Sequence, residues 1–285
     1  MVTETQNSQW FDAASSGNIK ELNKIIKSGI NLNIKNDDGK TALILAAEEG
    51  LSNVVIFLLG INNENVLDLV IEWKKKDHDL NNEYIKQWKN NWITTDINAK
   101  DKTGKTALLY AVKEGHYKTV KLLIDNGADV NASDNDENTP LIFAVDGRHT
   151  DIVKWLIDAG ADVNAISRIK YSSHYDRGTY QYSYFNSGGN SALISAVEIG
   201  SINITRWLIK AGADVDVRNS RGKTPLIIAS ENGFTTIAEL LIKVDANVCG
   251  RDRSGKTALD HAQIKKFLDI EDLLRNAGKK IQILK

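Results

Sequence analysis

Cysteine is almost missing from this chain. Cys249 stands alone in 285 residues, which excludes an internal disulfide framework and fits a reducing compartment. Proline occurs only at Pro140 and Pro225. Neither sign of charge prevails, with 36 Lys+Arg against 37 Asp+Glu, so there is no overall field to attract nucleic acid or an anionic membrane. No run approaches the ~18 apolar residues of a membrane span. The opening MVTETQNSQW lacks the basic and apolar blocks of a secretory signal, and the expected location is cytoplasmic. At 42% apolar and 26% charged, the composition is that of an ordinary folded protein.

What the chain has in quantity is repetition. GADVNASDNDENTPL at 127–141 returns in part at Gly160–Ala165 and again as GADVDVRNSRGKTPL at Gly212–Leu226. A threonine or serine opens each TxL-like triplet, at Thr41, Thr106, Thr139, Ser191, Thr224 and Thr257, with spacings of 65, 33, 52, 33 and 33. A glycine stands two places earlier in five of the units: Gly39, Gly104, Gly189, Gly222 and Gly255. Small residues follow five places on, as in Ala46-Ala47 and Ala111-Val112, then apolar pairs such as Leu122-Leu123 and Leu240-Leu241. A fixed period of this kind signals stacked repeats.

The spelling of one unit has a physical reason. ALLYAVKEG and PLIFAVDGR place apolar residues with helical period. The anchor hydroxyl is suited to cap that helix, and both prolines fall on its first turn, where no N–H is lost. Gly50, Gly115, Gly200 and Gly233 then suit a left-handed helix end. A second short helix follows, such as YKTVKLLID, and the polar ADVNAxDxxG reads as an extended turn. Helices this short are marginal alone, so stacking must hold them. A core truncation such as Leu122→Ala is expected to cost ~2–5 kcal/mol.

This pattern resembles the ankyrin repeat, two antiparallel helices and a β-turn in 33 residues. The segment DKTGKTALLYAVKEGHYKTVKLLIDNGADVNA, Asp101–Ala132, follows the family pattern at nearly every framework position. The resemblance implies an all-α ankyrin-repeat solenoid with β-hairpin loops and two insertions, covering residues 8–278. Its parts are an N-terminal cap repeat at 8–35, in which Ala13-Ala14 and Ile25-Ile26 keep phase, and repeats at 36–59, 97–133, 134–166, 189–218 and 219–251. A polar C-terminal cap spans 252–278, and the insertions span 60–96 and 167–188. The family's TPLH histidine is replaced by Ile44, Leu109, Ile142, Ile194 and Ile227, so its polar contact is expected to be lost to apolar packing. Arg148 stands in place of the interhelix glycine, after Gly147, where a local adjustment of the turn is expected. Asp245 and Lys266 also stand where glycines are expected.

In the first insertion Val66, Leu69, Val70 and Trp73 share one helical face, as do Leu80, Tyr84, Trp88 and Trp92. Two readings stand: an added helical hairpin packed on the solenoid, or tryptophans exposed for binding. Lys74–Lys76 make no basic stripe, because the segment holds five lysines against seven acids. The second insertion, SRIKYSSHYDRGTYQYSYFNSG, crowds Tyr171, Tyr175, Tyr180, Tyr182, Tyr184 and Phe185 together, with Tyr180, Tyr182 and Tyr184 alternating as on a strand. It reads either as a structural hairpin covering neighbouring repeats or as a partner-binding loop rich in rigid amphipathic side chains.

No catalytic or metal-binding constellation emerges. His116 and His149 occupy repeat positions, while His261, His78 and His174 have no second ligand cluster at tetrahedral spacing. Cys249 has no base beside it, and NSGGNS lacks the Gly-Lys-Ser/Thr of a phosphate loop. The expectation is no enzyme and no cofactor.

By resemblance, the partner-facing positions are the hairpin tips and the exposed side of the first helices. These are Asp37, Asp38, Lys40, Lys102, Thr103, Lys105, Asn135, Asp136, Asn138, Ser220, Arg221, Lys223, Arg253, Ser254 and Lys256 at the tips. On the helices they are Glu48, Glu49, Lys113, Glu114, Asp146, Glu198, Glu231 and Asn232. The expected function is binding of a protein partner by a monomer, through Lys102, Lys105, Lys113, Asn135, Asp136, Arg221, Lys223, Glu231 and the tyrosine insertion. No nucleic acid or membrane partner is expected. Such a scaffold could serve as inhibitor, immunity protein or effector. The alternative is a recognition module whose aromatic insertion grips a nucleotide or sugar.

Overall fold

Each anchor hydroxyl caps a helix. Thr41 Oγ1 accepts the N–H of Ile44 at 3.3 Å, and Thr106, Thr139, Ser191, Thr224 and Thr257 repeat the bond three residues on at 3.2–3.4 Å. Each such cap is worth about 1 kcal/mol. These bonds come from a computed structural model that describes residues 4–26, 28, 30–60, 95–168 and 189–283, in two units, 1–132 and 133–285.

The first unit holds α1 (Glu4–Ser16), α2 (Ile19–Ile26), α3 (Ala42–Glu48), α4 (Ser52–Leu59), α5 (Ala107–Lys113) and α6 (Tyr117–Asp125). The first helices α1, α3 and α5 stack in one row, and α4 packs on α6 behind them. The core between the rows includes Trp10, Leu22, Leu43, Leu108 and Leu123, each fully buried. Leu122, expected in the core, is only half-buried, and Leu123 is the residue that points inward.

The second unit holds α7 (Pro140–Asp146), α8 (Thr150–Asp158), α9 (Ala192–Glu198), α10 (Ile202–Lys210), α11 (Pro225–Asn232), α12 (Thr235–Lys243), α13 (Ala258–Lys265) and α14 (Leu268–Ile283). Helices α7, α9, α11 and α13 form the front row, and α8, α10, α12 and α14 the back row. Pro140 and Pro225 sit in the first helical turn, as their missing N–H allows. The former TPLH positions Ile44, Leu109, Ile142, Ile194 and Ile227 are at most 2% exposed, so apolar packing does fill them.

The copied loop is a hairpin built on one side chain. Asp101 Oδ1 accepts the N–H groups of Thr103 and Lys105, both at 2.8 Å, and Asn36, Asp134, Asn219 and Asp252 repeat this pattern. A second bond joins consecutive loops. Asn33 Oδ1 accepts from Asp96 N–H at 2.8 Å and Asn98 Oδ1 from Asp129 N–H at 2.9 Å. In the second unit Asn164 accepts from Asp214 and Asp216 from Asn247, both at 2.8 Å. The asparagine of VNA is therefore a rung between repeats, and the loop is copied because its polar side chains satisfy backbone donors in the next loop.

The turn at Arg148 is not adjusted. Arg148 itself adopts the left-handed conformation (φ 59°) and Gly147 stays right-handed, so the interhelix turn keeps the bond from residue 148 N–H to Val145 O at 2.9 Å. Glu137, Asp245 and Lys266 likewise take the left-handed glycine positions of their units, with φ of 62–63°. At Gly50 the glycine has a second reason: a Cβ there would lie 2.6 Å from the His116 ring, which packs on the turn.

The residues flanking the insertions keep the repeat geometry. Thr95 Oγ1 donates to Leu58 O at 2.7 Å and Asp96 N–H to Asn33 Oδ1 at 2.8 Å, so the chain from residue 95 docks on the repeat that ends at Gly60. Ser167 takes the hairpin position of Asp101. Its N–H reaches Asn190 O at 3.1 Å, Gly189 N–H reaches Ser167 O at 3.0 Å, and Ile166 and Ser191 form an isolated antiparallel bridge.

Candidate protein-binding surface

In three repeats the residue before the anchor bonds the first-helix residue eight places later. Lys40 Nζ is 2.6 Å from Glu48 Oε2, Asn190 Nδ2 donates to Glu198 Oε2 at 3.0 Å, and Lys223 pairs closely with Glu231. Lys223 and Glu231, both expected to meet a partner, thus hold each other, and Lys223 retains 14% of its side-chain exposure. In the repeat that follows Lys40 and Glu48, the same two positions carry Lys105 and Lys113. Lys105 Nζ donates to Thr103 Oγ1 at 3.3 Å and Lys113 pairs with Glu114 at 3.0 Å. With Lys102 at the exposed tip, that unit presents a cationic edge.

One position after the replaced histidine, two repeats carry a polar side chain that bonds the hairpin aspartate. Tyr110 Oη donates to Asp101 Oδ2 at 2.7 Å, and His261 Nε2 lies 2.8 Å from Asp252 Oδ2. Lys40 Nζ stands 4.5 Å from the Tyr110 ring centre, within cation–π range. Burial would lower the Lys40 ammonium, but the Glu48 carboxylate and Tyr110 outweigh it and raise it. Burial would raise Asp101 and Asp252, yet hydrogen bonds win in both. Tyr110 and Thr103 hold Asp101 below the usual carboxylate range, and His261 and Ser254 hold Asp252 well below it.

Asp146 and Glu198, on neighbouring front-row helices of the second unit, behave in the opposite way. Both side chains are exposed, yet the atoms packed around Asp146 partly desolvate its carboxylate and push it up, only partly offset by a hydrogen bond with Ser195. Partial desolvation also raises Glu198, and the nearby Asp146 charge adds to it, against the pull of Asn190, Arg221 and Lys223. At the tips, Asn135 and Arg221 are exposed and Asp136 half-buried. Asp136 O accepts the N–H of Arg168 at 2.7 Å, and Arg221 O that of Arg253 at 3.1 Å.

The structure therefore brings Lys102, Lys105 and Lys113 together in one unit, and Asp146, Glu198, Arg221, Lys223 and Glu231 along one face of the other. Tyr171, Tyr175, Tyr180, Tyr182, Tyr184 and Phe185 lie outside the described residues, as do Trp73, Trp88, Trp92, His78 and His174. Sequence reasoning missed the pairing of residues eight apart and the Tyr110 and His261 links to aspartates nine residues earlier. The recurring Lys-to-Glu interval was its readable signal.

A match to the family model described as ankyrin repeats (3 copies) spans residues 69–167 and 193–284, more than half of the chain. The chain belongs to the ankyrin repeat family. A second model, ankyrin repeats (many copies), matches residues 11–59 and 144–209. Among solved structures, this ankyrin chain is similar to the ankyrin repeat domain of Bcl-3, titled a unique member of the IkappaB protein family. The TM-score is 0.66 at 22% identity, covering 92% of this chain and 96% of that one, a likeness of fold. A stretch of 122 residues is 30% identical to the mitochondrial disaggregase of Bos taurus, covering 41% of the ankyrin chain but only 18% of that protein's length. Ankyrin repeats are protein–protein interaction modules. Among the described residues no helix is long and apolar enough to cross a membrane.

Proposed function

We propose that this chain is a non-catalytic scaffold that holds a protein partner on the face made by its hairpin tips and first helices. The observation that carries the reading is the pair Asp146 and Glu198. Both carboxylates are exposed on neighbouring first helices, the protein atoms around them raise both above their ordinary values, and among the described residues neither has a cation at ion-pair distance. Groups kept in a costly state on an accessible face are characteristic of binding sites. Basic side chains of a partner would relieve them, while the Lys102, Lys105 and Lys113 edge would receive acidic ones. The tyrosine-rich insertion emerges from the tip of a hairpin on this face and would add aromatic anchors.

The test is capture of a partner by the immobilised chain, compared with a folded variant carrying Lys102→Glu, Lys105→Glu, Lys113→Glu and Arg221→Glu. Lys223 is left intact, because reversing it would set two carboxylates against each other beside Glu231. Loss of the partner supports the surface. Capture at wild-type strength by the folded variant places the site elsewhere.

A further inference from the structure

Four successive hairpins of the second unit leave an open cleft of about 510 Å³ beside their tips. Among the described residues three arginines line it, Arg168, Arg218 and Arg253, against a single acid, Glu137. The three guanidinium groups differ in how they are engaged. Arg168 donates through Nε and Nη2 to Glu137 Oε1, at 3.3 and 2.9 Å. Among the described residues Arg218 is held in place by carbonyl oxygens alone, through Nη1 to Arg251 O at 2.6 Å and Gly222 O at 3.4 Å, which orient its charge without cancelling it. Among the described residues nothing pairs with the guanidinium of Arg253. The cleft also contains Ile166, an exposed aliphatic side chain at 46%.

We propose that this cleft binds an acidic peptide segment, its carboxylates on Arg253 and Arg218 and an apolar neighbour against Ile166. The planar guanidinium fork matches a carboxylate in two parallel hydrogen bonds, and Arg218 is already fixed for such a contact. Excess positive charge in a concave site favours an anion, and Ile166 favours a ligand with carbon beside its charge, as a peptide has. Glu137 acts as an internal competitor that occupies Arg168 until a ligand carboxylate takes its place. The inference rests on the reading of the chain as a protein-binding scaffold, and it names the chemistry of one recognised segment.

The experiment is a fluorescence-anisotropy titration of fluorescein-labelled hexaglutamate with the full chain. Saturable binding is expected, weakened about tenfold by Arg253→Ala and tightened about threefold by Glu137→Gln, which frees Arg168. Arg253→Ala removes no internal bond, so its melting temperature should match the wild type, and a gain of binding in Glu137→Gln cannot come from misfolding. Absence of saturable binding overturns the proposal, as do affinities unmoved by both substitutions. Displacement of the peptide by inorganic phosphate or hexathymidylate at lower concentration than by unlabelled hexaglutamate also overturns it, since the site would then read phosphate. If hexaglutamate fails while partner capture still depends on Lys102, Lys105, Lys113 and Arg221, the cleft is rejected and the scaffold stands. If the peptide binds as described while capture fails, the cleft stands without the wider surface.

Discussion

His261 Nε2 lies 2.8 Å from Asp252 Oδ2, with 9% and 4% of their side chains exposed, and this bond ties the last hairpin to helix α13. Asp252 is held well below its ordinary 3.8, against burial and by the hydrogen bonds of His261 and Ser254. A depressed carboxylate contributes stability that is present above its unfolded value and lost as pH falls through the folded one. Wild-type chain should therefore lose stability as pH drops below about 4, and Asp252→Asn should lose much less over that window while starting lower by about 2 kcal/mol. Thermal unfolding across that range checks both the sign and the size.

The sign reverses at Asp146 and Glu198. Both are exposed yet raised by partial desolvation, so their favourable contribution is present at low pH and is lost as pH rises through their folded values. Asp146→Asn with Glu198→Gln should stabilise the free chain at neutral pH, by roughly 0.5 kcal/mol once solvent screening is allowed for. The same pair should weaken partner capture. A variant that melts higher and binds worse would be the expected trade between stability and function.

Arg148 and Lys266 hold left-handed conformations at φ 59° and 62° where the other units use glycine. Glycine removes a Cβ strain of about 1–2 kcal/mol but adds unfolded-state entropy, so Arg148→Gly and Lys266→Gly should each gain up to about 1 kcal/mol in urea unfolding. The opposite result would show that these side chains make contacts worth more than the strain. For contrast, Leu123→Ala, at a fully buried site, should cost about 2–5 kcal/mol.

The tyrosine insertion can be removed without guessing at a linker. Ser167 and Arg168 correspond to Asp101 and Lys102, and Gly189 and Asn190 to Gly104 and Lys105, as the matching backbone bonds show. Replacing residues 169–188 by a single threonine restores the 33-residue spacing of Thr106 to Thr139. The expected result is an almost unchanged melting temperature with partner capture lost. A large fall in melting temperature would assign the tyrosines to the fold.

The repeat, its caps and its core positions were legible in the sequence because local rules set them. A hydroxyl before a helix, a proline in its first turn and a glycine after it each act within four residues. Arg148 misled because a left-handed turn is enforced by the helices on both sides, whatever residue occupies it. Leu122 and Leu123 were indistinguishable by pattern, since the burial of one over the other depends on how α6 is rotated against α4. The surface was harder still. Lys223 and Glu231 looked like two independent tip and helix charges, and only the fold sets one over the other.

The rungs from Asn33 to Asp96 and from Asn164 to Asp214 span each insertion, at 2.8 Å in both cases, so the stack is closed around inserted chain without reference to its length. For a segment whose ends are already clamped, closure entropy grows only with the logarithm of length, and each doubling costs about 0.6 kcal/mol. The position between Arg168 and Gly189 is therefore a slot that can exchange or enlarge its contents almost free of thermodynamic penalty. Selection could rewrite the sequence there while every framework residue stays as it is.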